Sequence, residues 1–150
     1  MATTEAENKA IFRRTYEEMF HQGNLAVADE LIAPDCINHE VPPGMNNRDP
    51  ESIRQVVMML RTAFPDLHFT IEELVAEGDT VAARVTLSGT HLGPFMGMAP
   101  TGRSVRQAQV HFVRFRDGKG IEHRAVRDDL GMMQQLGVIA VSAHEHVPEG

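Results

Sequence analysis

The chain has 150 residues and a mass of 16.6 kDa, which is the size of one ordinary domain and leaves little room for a second. Its 14 Lys and Arg residues against 21 Asp and Glu give a net charge of −7 without any basic block, which argues against nucleic acid and anionic membranes as partners. The single cysteine, Cys36, excludes an intrachain disulfide and a thiolate zinc cluster. The longest apolar run, Val56–Leu60, is too short to span a bilayer, and the N-terminus lacks a signal-peptide core, so we expect a cytoplasmic protein.

The first helix is predicted from a capping box and an apolar stripe. Thr4 and Glu7 have the spacing at which two side chains cap a first turn reciprocally. The stripe follows at i, i+4, i+7 and i+8 and consists of Phe12, Tyr16, Met19 and Phe20. Gly23 then suits a C-terminal cap, because glycine readily adopts the left-handed conformation that ends many helices.

Two further segments are predicted before the clearest helix of the chain. A short second helix runs from Leu25 to Ala33, with Asn24 as its cap and Pro34 as its stop. Cys36–His39 is then predicted to be extended, and the Pro-Pro-Gly sequence at 42–44 turns the chain away from it.

The third helix has signals at both of its ends. Asp49 caps it, Pro50 takes the first helical position, and Glu51 lies in the first turn, where the helix dipole favours a carboxylate. Pro65 ends it. The apolar stripe of this helix consists of Ile53, Val56, Val57, Leu60 and Phe64.

Downstream of the third helix the hydrophobic period changes from 3.6 to 2, which indicates strands. The four predicted strands are Leu67–Val75, Thr80–His91, Val105–Phe115 and Ile121–Asp128, with hairpin turns at 77–79 and 117–119. Leu130–Leu136 forms a closing helical turn.

Helices followed by an antiparallel meander predict an α+β fold, with helices on one face of a curved sheet and a conical pocket between them. Residues 1–140 are predicted to be one domain, and residues 141–150 a mobile tail.

The loop from Gly93 to Gly102 separates the second and third predicted strands. It is too rich in Gly and Pro for regular structure, and its Phe and Met residues are too apolar for a solvated linker. We therefore expect this loop to fold over an apolar surface or ligand.

Strand alternation groups the polar side chains that could carry chemistry. Gln109 and His111 share one face of the third strand, and His123 shares a face of the last strand with Ala125 and Arg127. An amide beside an imidazole can clamp a carbonyl and act as a base. The alternative is a half-exposed strand with two polar side chains at a subunit contact, and the pattern alone does not decide which face meets the pocket.

The other polar candidates each have a functional and a structural interpretation. Asn38 and His39 precede the proline turn and can reach the mouth of a pocket, or Asn38 can bond nearby backbone. Asp128 and Asp129 are both candidates to cap the final helix, with Asp129 favoured because Leu130 and Gly131 follow it. Glu122 and Arg124, which share a strand face, are typical of an ion pair on that face.

Several catalytic classes lack their sequence signals. The chain has eight histidines but no H-x-x-x-H or H-E-x-x-H, and His144 and His146 lie in the tail, so no metal site is predicted. There is no G-x-S-x-G for a nucleophilic serine and no glycine-rich phosphate loop. Acid–base chemistry without a cofactor, or ligand binding without chemistry, remains.

The run from His91 to Gly137 resembles the SnoaL-like polyketide cyclases of the wider NTF2-like superfamily. Its most specific pieces are GMAPTGR at 97–103, Q-V-H at 109–111 and D-x-x-G-x-x-x-Q-L-G at 128–137. The similarity extends with less precision back through the segment Pro34–Asn38, and so covers nearly the whole chain short of the tail.

This resemblance implies a cone-shaped α+β fold, a curved sheet around an apolar pocket, and homodimers or homotetramers formed through the convex sheet face. It implies that a polyketide methyl ester is closed into a ring by intramolecular aldol addition, with no metal or cofactor. In these cyclases an aspartate near the end of the last strand removes the proton, while an asparagine, a glutamine and a histidine position the substrate and its enolate. The last three fall on Asn38, Gln109 and His111.

The proton-removing aspartate of these cyclases is absent from this sequence. Ungapped extension from Gln109 and His111 places it at Ala125, which can neither take nor give a proton. His123 lies two residues earlier on the same strand face, and His111 is the other candidate replacement. We therefore hypothesise that His111 and His123 are the catalytic proton carriers.

The leading hypothesis is a cofactor-independent cyclase or isomerase that acts on a small hydrophobic carbonyl compound. The predicted substrate-binding residues are Asn38, His39, Gln109, Phe95, Met98 and Asp128. One alternative, which Ala125 favours, is a protein of the same fold that binds a small apolar ligand without catalysis. The others are a polyketide hydroxylase-like homologue, an epoxide-opening homologue, against which Ala125 also counts, and a purely oligomeric scaffold.

Overall fold

The computed structural model describes residues 3–140, in which helices precede a five-stranded sheet. The helices are α1 (Glu5–Arg14), a π-helical segment that continues it (Thr15–His21), a 3-10 turn (Leu25–Val27), α2 (Ala28–Leu31), α3 (Glu51–Ala63) and α4 (Asp129–Gln135). The strands are β1 (Ile32–Asn38), β2 (His68–Glu77), β3 (Thr80–Thr90), β4 (Ser104–Arg116) and β5 (Lys119–Arg127). The tail predicted at 141–150 lies outside the described residues.

Helix α1 begins as predicted. The Thr4 hydroxyl accepts a hydrogen bond of 3.1 Å from the Glu7 backbone N–H, and the two side chains are 3.0 Å apart. After Arg14 the helix widens into its π-helical segment and ends before Gly23, whose φ is +71°. All four residues of the predicted apolar stripe are at most 5% exposed, so this face forms part of the core.

The predicted second helix is wrong in its length. Only the 3-10 turn and the four residues of α2 are helical, and Ala33 and Pro34 already belong to β1. Pro34 is tolerated in a strand because β1 lies at the edge of the sheet, where a missing N–H interrupts no central ladder. Asn24 makes no side-chain capping bond, so its predicted role is wrong as well.

Helix α3 carries the predicted signals with a shift of one residue at its start. Pro50, not Asp49, occupies the capping position, but the Asp49 carboxylate accepts a 2.8 Å bond from the Glu51 N–H and so still serves the first turn. The helix ends at Ala63, before Pro65, as predicted.

The sheet has the strand order β1-β5-β4-β3-β2. The antiparallel meander of β2 to β5 confirms the prediction, and β1 extends it by pairing parallel to β5. The register shifts between Ile71 and Glu73 and between Arg114 and Phe115. Such bulges increase twist and bend a strand, which suits the curved and unclosed sheet that this chain forms.

The helices pack on the face of β4 that carries Gln109 and His111. These two side chains are each 4% exposed, whereas Phe112 on the opposite face is 51% exposed. The polar pair therefore faces inward, which the alternation alone did not decide.

The loop at 93–102 folds across the end of α3. The backbone N–H of Gly93 donates a 3.1 Å bond to the carbonyl of Ala63, and the Phe95 ring lies 5.3 Å from that of Phe64. Phe95 is buried, in agreement with the expectation of an apolar contact, whereas Met96 at the loop tip is 64% exposed.

At the other end of the sheet, Asp128 and not Asp129 caps α4. The Asp128 carboxylate accepts a 2.9 Å bond from the Gly131 N–H, so the prediction for Asp129 is wrong. The Asp129 carboxylate instead accepts a bond from the Gln107 side chain.

None of the helices within residues 3–140 combines the length and the apolar character needed to cross a bilayer.

Candidate active site

A cavity of about 410 Å³ lies between the helices and the inner face of the sheet. This volume is in the range of pockets that hold small organic ligands. Most of its wall is apolar and includes Phe20, Val56, Met59, Leu60, Leu87 and Met132. Many of the polar groups that line it, including Asn38, Gln109, His111 and His123, lie on β1, β4 and β5, which are neighbours in the sheet.

At this polar wall, side chains from three strands form one hydrogen-bonded network. His111 Nε2 is 2.7 Å from Gln109 Oε1, and His111 Nδ1 is 2.7 Å from His123 Nε2. His123 Nδ1 is 2.9 Å from Asn38 Oδ1. All four predicted residues therefore line the same cavity and contact one another in a row.

The strand register explains how these residues meet. Asn38 pairs with His123 through the parallel contact of β1 with β5, which no signal in the sequence predicted. The direct cross-strand partner of His111 is Ala125, and His123 pairs with Val113. The imidazole of His123 thus reaches His111 along a diagonal, since residues two apart on a strand share a face.

Tyr16 also belongs to the site, although its place in the apolar stripe of the first helix predicted only a core residue. Its hydroxyl is 3.1 Å from His111 Nδ1, and its ring stacks on Phe20 with a centroid separation of 4.9 Å. The available signal was the presence of the only tyrosine of the chain on the buried face of a helix. A buried phenolic hydroxyl needs a hydrogen-bonding partner, and here the π-helical segment presents it to His111.

Burial and a nearby cation keep both imidazoles in their neutral forms at pH 7. Burial, then the charges of Arg127 and His39, lowers the pKa of His123 to about 4. Burial, then His123 and Arg127, lowers the pKa of His111 well below its ordinary value. Burial raises the pKa of the Tyr16 hydroxyl, which therefore stays protonated. The site thus holds two unprotonated bases beside a hydrogen-bond donor.

An ion pair and a histidine–carboxylate hydrogen bond lie on the wall that continues from this network. Arg127 is 3.2 Å from Glu40, and His39 Nε2 is 3.0 Å from a Glu122 carboxylate oxygen. The bond to His39, followed by the charges of Arg114 and Arg124, lowers the pKa of Glu122. The Arg114 and Arg124 guanidinium groups lie 3.5 and 3.7 Å from this carboxylate, so the expected pair of Glu122 with Arg124 is present.

The remaining predicted site residues lie at different distances from the cavity. His39 and Phe95 line it. Met98 forms backbone bonds of 2.8 and 3.0 Å with Phe95 in a tight hairpin, and Asp128 caps α4. Met98, Ala125 and Asp128 are not among the described residues that line the cavity.

Metal-ligand chemistry has little basis in the described part of the chain. Within residues 3–140, no group of three or more His, Cys, Asp or Glu side chains is arranged to hold a metal ion. Cys36 lines the cavity, but burial raises the pKa of its thiol, which disfavours the thiolate.

Comparisons with known proteins agree on one family. The model of the SnoaL-like polyketide cyclase family matches residues 10–136. The nogalonic acid methyl ester cyclase of Streptomyces nogalater is 35% identical over 120 residues, which are 79% of this chain and 89% of that enzyme. The aklanonic acid methyl ester cyclase AcmA of Streptomyces galilaeus is 34% identical over 134 residues, 88% of this chain and 92% of that enzyme. The structure of TsrD from Streptomyces laurentii superposes with a TM-score of 0.83 at 25% identity, covering 92% of this chain and all of that one.

Proposed function

Because the chain belongs to the SnoaL-like polyketide cyclase family, we propose that it closes a ring in an aromatic polyketide methyl ester by intramolecular aldol addition. The observation that carries this proposal is the row of Asn38, His123, His111 and Gln109 at one wall of an otherwise apolar cavity. An apolar cavity binds the flat aromatic body of such a substrate, and a few convergent polar groups orient its carbonyls.

In this proposal His111 and His123 carry the proton. A methylene between two carbonyl groups is a carbon acid, so a neutral imidazole held against it is a competent base. Asn38, Gln109 and the Tyr16 hydroxyl are the hydrogen-bonding groups that orient the substrate and its enolate. Base catalysis of this kind contributes about 10²–10⁴-fold, and oriented hydrogen bonds contribute a comparable factor.

The function is tested by incubating the protein with an aromatic β-keto methyl ester of the anthraquinone type. Ring-closed product, measured by mass spectrometry, is expected to exceed that of a control without protein. A Val56→Phe variant, which narrows the apolar part of the cavity, is expected to lose binding and product together.

Two results would contradict ring closure by this protein. Binding of the ester without product would instead support a ligand-binding protein that has kept the cavity, the alternative that Ala125 favours. Absence of both binding and product from a folded protein would exclude aromatic esters of this type as its ligands.

We also propose that the outer face of β4 and β5 holds a second copy of the chain, as the family resemblance implies. Val110 and Val126 are cross-strand partners that are 39% and 77% exposed, and Phe112 beside them is 51% exposed. Large apolar side chains grouped in this way on a sheet are typical of a subunit contact.

Replacing Phe112 by Asp is expected to convert the oligomer into monomers, because a carboxylate at the centre of such a contact loses its hydration without gaining a partner. Sedimentation velocity measures the change in mass. Met58, on α3, is 54% exposed and lies away from the sheet, so Met58→Asp is the matched control and should leave the mass unchanged. A wild-type monomer, or an unchanged oligomer in Phe112→Asp, would contradict the proposal.

A further inference from the structure

The direction of the hydrogen bond at His111 Nε2 is fixed from one end of the network. The Gln107 amide nitrogen is 3.2 Å from the Asp128 carbonyl and 3.1 Å from an Asp129 carboxylate oxygen, and both of these can only accept. The amide oxygen of Gln107 therefore faces the amide nitrogen of Gln109, at 2.8 Å. The oxygen of Gln109 is then left to face His111 Nε2, at 2.7 Å, so this ring nitrogen must carry a proton.

The direction at the other end is fixed by the backbone. The N–H of Glu40 donates a 3.0 Å bond to Asn38 Oδ1, which identifies that atom as the amide oxygen. His123 Nδ1 lies 2.9 Å from the same oxygen and must therefore donate its proton to it. A neutral imidazole has only one N–H, so in the neutral forms His123 Nε2 and His111 Nδ1 both lack a proton.

These two unprotonated nitrogens are directed at each other. They are 2.7 Å apart, the ring planes are tilted by 12°, and the ring centroids are 5.0 Å apart. Because the lone pair of an imidazole nitrogen lies in the ring plane, nearly parallel rings joined end to end direct the two lone pairs into one space. The Tyr16 hydroxyl, 3.1 Å from His111 Nδ1, donates a hydrogen bond to that nitrogen, but no proton joins the two imidazoles themselves. The contact between the two nitrogens is therefore repulsive at rest and becomes a charge-assisted hydrogen bond when a proton enters it.

We propose that His111 and His123 act as a single base that holds the substrate's proton between His111 Nδ1 and His123 Nε2, with Gln107 and Gln109 as the positioning residues that keep this space free of a proton at rest. This inference rests on the proposed ring-closing function and adds how the proton is held without a carboxylate at position 125. Gln107 acts only through Gln109, and Gln109 acts on the pair through its bond to His111 Nε2.

The proton balance of the reaction is complete without a further reactant. The C–H bond of the activated methylene breaks, its electron pair passes into the enolate, and the proton enters the space between the two nitrogens. The enolate carbon then bonds to the second carbonyl carbon, whose oxygen becomes an alkoxide. The pair returns its proton to that alkoxide and is again unprotonated.

The charged groups around the two histidines set the pH range in which the pair is unprotonated and can act as a base. The ionisable side chains around it are Tyr16 from the π-helical segment, Cys36 from β1, His39 and Glu40 from the segment after β1, Glu122 and Arg127 from β5, and Asp129 from α4. Only the unprotonated pair is a base, so kcat/KM is expected to fall as the pH drops through the pKa of the pair. Burial and the Arg127 charge lower the pKa of both histidines, which moves this fall to the acid side of the ordinary histidine value. Replacing Arg127 by Gln removes a cation and is expected to move the fall to higher pH.

The direct test is NMR of the full chain with ¹⁵N-labelled histidine, in which ring correlations show which nitrogen bears the proton. The wild type is expected to show the Nε2–H form of His111 and the Nδ1–H form of His123. On acidification both rings are expected to change in one step that takes up a single proton, with a strongly downfield N–H···N resonance. Two independent steps, or an Nδ1–H form of His111 in the wild type, would overturn the inference.

Variants of Gln107 separate positioning from folding. Gln107→Leu frees the Gln109 amide to rotate and donate to His111 Nε2, so His111 is expected to change to the Nδ1–H form and kcat to fall at least tenfold. The double variant Gln107→Glu with Asp129→Asn keeps the net charge and restores an acceptor for Gln109, and is expected to recover the wild-type proton positions. Asp129→Asn alone is the matched control, since the Asp128 carbonyl still accepts from Gln107.

The proposed proton positions and the proposed ring-closing reaction can be contradicted independently of each other. Ring closure by a protein whose histidines titrate separately would overturn the shared proton and leave the proposed function standing. A single shared proton in a protein that converts no ester would support the pairing of the histidines and overturn ring closure instead.

Discussion

Replacing His123 by Gln is expected to lower kcat for ring closure by about 10²–10⁴-fold, the usual contribution of a positioned base. The glutamine amide can still bond to Asn38 and His111, so the network survives while the capacity to take up a proton is lost. His111→Gln is expected to have an effect of the same size. Because the two histidines act as one base, the double variant should be no slower than either single variant.

The control for these variants is a histidine outside the cavity. His68 is exposed on β2 and its ring stacks on that of His21 at 4.4 Å, so His68→Gln should leave kcat unchanged. Single-turnover rates measure the chemical step, and thermal unfolding checks that each variant is folded. Unchanged turnover in His111→Gln or His123→Gln would show that the replaced histidine does not carry the proton and that the two do not act as one base. Effects that multiply in the double variant would show that the two act separately.

Replacing Gly93 by Ala is expected to lower the free energy of unfolding by about 3 kcal/mol or more. A Cβ atom at Gly93 would lie 2.0 Å from the backbone carbonyl oxygen of Thr62, and that oxygen cannot withdraw without distorting the end of α3. The loop at 93–102 would have to move outward and take the Phe95 ring away from Phe64. The core would thus lose part of its packing at the edge of the cavity.

Urea or thermal unfolding measures this loss, which corresponds to a fall in Tm of roughly 6–12 °C for a chain of this size. Gly97→Ala, in the same loop, is the matched control. A Cβ atom there has no neighbour within 4 Å, and only the φ of +79° is unfavourable, so the expected cost is about 1 kcal/mol. Equal stabilities for the two variants would show that the close approach of Gly93 to α3 is not what holds the loop.

Much of the fold follows from signals that act over a few residues. The capping box at Thr4, the end of α3 before Pro65 and the four antiparallel strands could each be predicted from local spacing. Strand β1 could be predicted only in its second half, within the extended segment Cys36–His39, because an edge strand of seven residues that contains a proline has no alternating pattern of its own. Its formation depends on the exposed edge of β5, a partner more than eighty residues away along the chain.

The sequence by itself determined which residues share a strand face, since alternation is a property of the backbone. That was enough to place Gln109 beside His111 and to single out His123 once Ala125 was recognised. The tertiary structure decided what these side chains do to one another, because the partners that fix each proton come from other elements. Tyr16 reaches His111 from the N-terminal helix, and Gln107 is oriented by groups at the start of α4. The direction of a hydrogen bond can be assigned only when both of its partners are known. The unprotonated space between the two imidazoles therefore depends on the folded chain and cannot be inferred from any local stretch of the sequence.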